Sequence, residues 1–265
     1  MTKTTNQRLD FTKALAQEAA ELGVKLRAEH GEDFISEKGT QDFVTFADQA
    51  LEDLIRARLT EAFPEDSILG EESGLSGEGA GYWVIDPIDG TANYMRGMPE
   101  WGVCIAYYDG TDILCGVVSA PDMNMLCWAS KGGGAWMNGE RLHVSDCTEP
   151  TRAVLTLGWS SRRPTTHHTQ LVETLLENGM EYRRNGSCCI SMLTVATGRT
   201  EGYFELHVNA WDAFAAIPII TEAGGLVQSD PLDQFVKQGS VILATCPGMT
   251  EAFSEATDIT RWAAE

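Results

Sequence analysis

A mixed α/β (α+β) chain, with an α+β half packed on an α/β half as one compact unit, is the fold class this sequence predicts. Three observations carry the expectation. Two stretches near the N-terminus repeat apolar residues at helical spacing, a block of short apolar segments separated by turn residues follows, and beyond Thr148-Glu149-Pro150 strand-like and helix-like segments alternate. The expected boundary divides residues 1–148 from residues 149–265, with the site between the halves.

The elements follow in order. Phe11, Leu15, Ala19, Leu22 and Leu26 recur at helical spacing and predict an amphipathic helix over 8–30. A second helix is expected over 45–63, with Leu51, Leu54, Leu59 and Phe63 inward. It opens on Thr45-Phe-Ala-Asp48, which has the form of a capping box. Strands are predicted at SIL near 67, YWVI near 82, GVCIAYY at 102–108 and DILCGVVS at 112–119, the last two joined through Asp109-Gly110. MLCWAS from 125 and a hairpin turning at Asn138-Gly139 extend this largely antiparallel sheet. In the second half AVLTL, a helix near 167–178, a helix over 188–197, YFEL, a helix over 212–223, GLVQ, VILAT and a C-terminal helix alternate.

Composition narrows the function. The chain has 265 residues, 43% of them hydrophobic, enough for a substantial core. Its 39 acidic against 19 basic residues, a net charge of -20, argue against nucleic-acid and anionic-membrane surfaces and favour cations as counterparts. With no signal-like segment and no run of 18 apolar residues, a cytoplasmic protein is expected. Seven cysteines without a CxxC pattern fit reduced core thiols, Cys188-Cys189 being the pair to watch. The glycines at 132–134 read as a turn, and His167 and His168 as a solvated loop.

One stretch raises a chemical question. WVIDPIDGTANY places Asp86 and Asp89 three residues apart at the end of an apolar run. Two such charges about 4 Å apart repel by roughly 4 kcal/mol at an effective dielectric of 20, so a positive partner is required. Pro87 and Gly90 predict that the strand ends near Ile85 and that Asp86 to Gly90 form a loop. An Asx turn at Asp86 and a helix cap at Asp89 would explain the same residues structurally. Glu71-Glu72 after SIL, and Asp212 where a helix opens before Gly224-Gly225, add carboxylates at two more element ends. Each alone reads as a surface turn or a cap; together they form an oxygen-only donor set suited to a hard cation, magnesium above zinc. Two such ions about 3.5–4 Å apart suit displacement at phosphorus, and Thr91 supplies an adjacent hydroxyl.

DPIDGTAN, GEES, the WD followed by ITEAGG, and the run from Lys38 to Asp48 together resemble the inositol monophosphatase family of magnesium-dependent, lithium-sensitive phosphatases. The resemblance covers roughly residues 38–230 and implies a layered αβαβα sandwich, two or three magnesium ions and a homodimer. It implies Glu71, Asp86 and the Ile88 carbonyl as ligands of one ion, and Asp86, Asp89 and Asp212 as ligands of a second. Glu71 and Thr91, with Asp48 supporting Thr91, would activate water, and the Gly90 and Thr91 amides would hold phosphate. Gly186, Ser187, Cys188, Glu205 and Asp212 would meet the rest of a small phosphate monoester, inositol monophosphate first. Histidinol-phosphate phosphatase and 3'-phosphoadenosine or sugar phosphatases are the enzyme alternatives; a metal-stabilised regulatory binding protein is the alternative outside catalysis. The chain departs from the family pattern at Arg96, at Cys188, and at Phe214, Ala216 and Pro218, where the proline should kink a helix.

Overall fold

The computed structural model describes residues 4–30, 35–39 and 42–258, with side chains for 4–29 and 46–258. Helix α1 (Thr5–His30) buries Leu15, Ala16, Ala19 and Leu26. The antiparallel hairpin β1 (Ile35–Gly39) and β2 (Asp42–Thr45) leads into α2 (Phe46–Ala62), which buries Leu51, Ile55 and Leu59 together with two carboxylates, Asp48 and Glu52. The side chains of Lys38 and of Thr45, the expected capping residue, lie outside the described residues.

Next come β3 (Ser67–Gly70), β4 (Gly74–Ser76), β5 (Tyr82–Asp89), the short helix α3 (Thr91–Met95), β6 (Gly102–Tyr108), β7 (Ile113–Ala120), β8 (Met125–Ser130), β9 (Gly134–Met137) and β10 (Glu140–Arg141). These strands form one eight-stranded sheet in the order β10-β9-β8-β7-β6-β5-β3-β4, antiparallel except for β3 against β5. The β9–β10 turn is the expected Asn138-Gly139, both at positive φ (52° and 90°), as a type I' turn demands.

The second half contributes β11 (Val154–Leu157), α4 (Thr165–Glu177), β12 (Glu181–Arg183), α5 (Cys188–Ala196), β13 (Gly202–Val208), α6 (Ala210–Ala213), α7 (Ala216–Glu222), β14 (Leu226–Ser229), α8 (Leu232–Gln238), β15 (Ser240–Thr245) and α9 (Thr250–Thr257). Its sheet runs β12-β11-β13-β15-β14.

Strand alternation sorts side chains into three cores and hence five layers. Trp83 and Ile85 of β5 face α1 and α2, while Val84 between them faces the interior shared with α5 and α7. On the second sheet Tyr203 joins that shared interior, and its neighbour Phe204 packs outward with Leu171 of α4 and Phe253 of α9. The result is the αβαβα sandwich.

Three expectations need correction. Strand β5 does not stop at Ile85 but runs to Asp89, because a bulge lets it pass Pro87: Asp86 pairs with Cys104 and Asp89 with Gly102, leaving one extra residue on β5. A proline is tolerated there because the bulge releases a ladder N–H. The helix expected over 212–223 is two, α6 and α7, split at Phe214 and Ala215; Pro218 has no N–H for the Phe214 carbonyl four residues back. His167 and His168 lie half-buried in the first turn of α4, not in a solvated loop.

Candidate active site

The carboxylates sit just after β3, in the last half of β5 and in the first turn of α6. After β3 the chain turns at Glu71, and the next two amides, Glu72 N and Ser73 N, each donate to the Glu52 carboxylate at 2.9 Å. Glu52 is fully buried and also accepts from Arg56 Nε at 2.8 Å, so α2 holds the Glu71 turn in place. Gly70 makes this possible: a Cβ there would lie 2.7 Å from the Glu52 carboxylate.

Within the bulge, Asp86 Oδ1 accepts from Ile88 N at 2.9 Å, the Asx bond that the structural reading foresaw. A carboxylate has about four acceptor positions, so this bond leaves others for a cation. Asp212 is the third residue of α6 and takes the Asn209 backbone N–H on Oδ2 at 2.8 Å, completing a capping box. Oxygens of Glu71, Asp86 and Asp212 nevertheless lie within 4.8 Å of one another.

Asp89 does not cap α3, whose first position is left to Gly90 at φ 90°. A Cβ on Gly90 would meet the Glu100 carbonyl at 2.8 Å, so the sharp turn needs glycine. Asp89 instead reaches the N-terminus of α5, accepting from Cys189 N at 2.7 Å, Cys188 N at 3.2 Å and the Ser187 hydroxyl. The same hydroxyl accepts from Ile190 N as the helix cap. Ser187, expected at the substrate, thus has its side chain on Asp89. Its replacement by alanine should raise the magnesium concentration for half-maximal turnover by about tenfold, more than it raises substrate KM; magnesium titrations at saturating substrate check this.

Electrostatics set this cluster apart. Asp86 is pushed well above the usual carboxylate range by burial and then by the charges of Glu71, Asp89 and Asp212. Asp212 is pushed up to about 7 by burial and then by Asp89. Asp89 is raised by burial despite its hydrogen bonds. Among the described residues none of these three aspartates has an ion pair with lysine or arginine. An all-oxygen donor set fits magnesium, which is bound through carboxylates and water.

The remaining expected residues divide. Thr91 Oγ1 donates to Asp48 Oδ1 at 3.2 Å and to the Ile88 carbonyl at 3.0 Å. Gly186, Cys188 and Glu205 line a cleft shared with Asp89 and Asp212. Glu205 accepts from the Tyr203 hydroxyl and is raised to about 8 by burial. A Cβ on Gly158 would stand 1.7 Å from Glu205 Oε2, so glycine gives the carboxylate its room. Arg96 is outside the cleft lining, and its Nη1 donates to Ala92 O at 2.7 Å within its own helix.

Sequence reasoning missed Glu52 and, in the cleft lining, Leu157, Gly158, Trp159, Arg184 and Ser191. Glu52 was detectable: it lies four residues after Asp48 on the face that carries Ile55 and Leu59, and a carboxylate on an apolar helix face needs a buried partner. Nothing local marks the others.

Comparison with known proteins agrees with this geometry. Residues 7–258 match the model of the inositol monophosphatase family. An inositol-1-monophosphatase from Mesorhizobium japonicum is 36% identical over 238 residues, 86% of this chain and 89% of the relative. A Nus factor SuhB from Xylella fastidiosa is 37% identical over 195 residues, 73% of this chain and 71% of the relative. The solved structure of an IMPase from Thermotoga maritima superposes with a TM-score of 0.84 at 26% identity, covering 95% of this chain and 97% of the other. Since the matched span takes in both sheets and every motif that supplies a carboxylate, the chain belongs to the inositol monophosphatase family, a family of phosphomonoesterases.

Proposed function

We propose that the protein hydrolyses a small alcohol phosphate, inositol monophosphate first, with magnesium as cofactor. The observation that carries this reading is the convergence of Glu71, Asp86 and Asp212 on one point, with Asp89 close enough to raise Asp86 and Asp212. Glu71, Asp86 and the Ile88 carbonyl would hold one ion, and Asp86, Asp89 and Asp212 another. Bound magnesium supplies charge that acidifies water and neutralises the phosphoryl oxygens. The chain's own groups do the rest. The single proton of the Thr91 hydroxyl is directed at Asp48 and the Ile88 carbonyl, which leaves an oxygen lone pair to accept from the attacking water. Glu71 takes the water's proton, and the Gly90 and Thr91 amides orient the phosphate. Glu205, Gly186 and Cys188 meet the alcohol.

Phosphate release from a panel of inositol phosphates, histidinol phosphate, sugar phosphates and 3'-phosphoadenosine compounds tests the reading. Turnover that needs magnesium and stops with chelator is expected; no release from any monoester would sink it. Relatives named Nus factor SuhB favour a second reading, a binding protein that keeps metal for structure. That outcome would combine a silent panel with capture of a macromolecule. Glu205→Gln should change relative kcat/KM among the panel substrates by about tenfold with little change in magnesium requirement, and an unchanged substrate ranking would remove Glu205 from recognition.

A further inference from the structure

We propose that Cys104, Cys189 and Asp89 form a separate site for a soft divalent cation such as zinc, beside the oxygen-only cluster. The Sγ atoms of Cys104 on β6 and Cys189 on α5 and a carboxylate oxygen of Asp89 all lie within 4.8 Å of one another. A tetrahedral zinc ion with Zn–S about 2.3 Å and Zn–O about 2.0 Å holds its ligands roughly 3.5–4 Å apart, so the three donors need to close by at most about 1.3 Å. Ser187 Oγ, 3.6 Å from Cys189 Sγ and already bonded to Asp89, is a further oxygen beside the three donors. Gly102 lies opposite Asp89 on β6, beside Cys189 Sγ.

Donor chemistry separates the two clusters. Glu71, Asp86 and Asp212 offer only hard oxygens, whereas two thiolates with one carboxylate select zinc over magnesium. Binding displaces the two thiol protons to solvent. Asp89 and Ser187 line the cleft while both thiols are buried, so Asp89 is the donor of the set that an ion in the cleft meets. Asp89 is the shared group. A soft ion there draws its carboxylate from the magnesium cluster and lowers turnover; this consequence rests on the proposed function, while the binding itself does not.

Cobalt(II), titrated under reducing conditions into protein saturated with magnesium, is the probe. The expected result is a thiolate-to-cobalt charge-transfer band that saturates at one ion per chain and is erased by one equivalent of zinc. It should be absent in Cys104→Ala and in Cys189→Ala, each checked for native circular dichroism, and retained in Cys188→Ala, whose thiol lines the cleft. Absence of the band in the unaltered protein, or its survival in both alanine variants, overturns the site. Zinc should depress turnover of the unaltered protein and not of Cys104→Ala; equal inhibition of both overturns the sharing of Asp89. The optical readout needs no turnover, so a silent phosphatase assay leaves the test of the site intact.

Discussion

Asp212→Asn should reduce magnesium-dependent turnover by more than about 100-fold, since even the partners of metal ligands commonly carry 10- to 100-fold effects. The same substitution should stabilise the protein in chelator. The folded-state pKa of Asp212, about 7, lies above its ordinary 3.8. Between those values the folded chain holds a proton that the unfolded chain has released. Stability of the metal-free protein therefore falls as pH rises from about 4 through about 7, then stays at the lower level. Asparagine keeps the acceptor that Asn209 N requires and removes the charge that Asp89 and Asp86 oppose. Thermal melts with chelator across that range should show the decline in the unaltered protein and a shallower one in the variant. Magnesium should raise the unaltered protein's Tm by linkage and the variant's far less. Near-normal turnover, or a variant less stable than its parent at pH 8 without metal, would remove Asp212 from the cluster.

Glu52→Ala should cost about 3–5 kcal/mol, the range for breaking a buried ion pair from one side. The loss leaves Arg56 and two amides, Glu72 N and Ser73 N, without the carboxylate they share. Arg56 also donates to Gly74 O and Ser76 Oγ, so the damage extends to β4. A Tm lower by roughly 10 °C is expected for a domain of this size. Because the same amides hold the turn that carries Glu71, magnesium affinity should drop as well. Glu52→Gln should fall between: its oxygen can accept from one amide, but its NH₂ opposes the other. A loss below about 1 kcal/mol would mean that the turn is held by the sheet alone.

The sequence and the structure agree most closely where a signal is local. Helical spacing at Leu15, Ala19 and Leu26 marks α1, and Asn138-Gly139 marks its hairpin, because side-chain periodicity and φ > 0 chemistry act within a few residues. The continuation of β5 past Pro87 was not legible, since a bulge depends on what β6 offers opposite. The same is true of β12, a three-residue edge strand given its place by β11.

The sequence by itself determined the chemistry available: carboxylates at the ends of apolar segments and a threonine after a glycine. Tertiary structure decided how those groups are used. Asp86 makes its Asx bond and still meets Glu71 and Asp212, and Asp89 turns from the helix that follows it to one that begins 99 residues later. The physical reason is range. Hydrogen bonding to neighbouring amides is written in adjacent residues, whereas the field of a distant carboxylate and the N-terminus of a distant helix reach a side chain only after the sheets have packed.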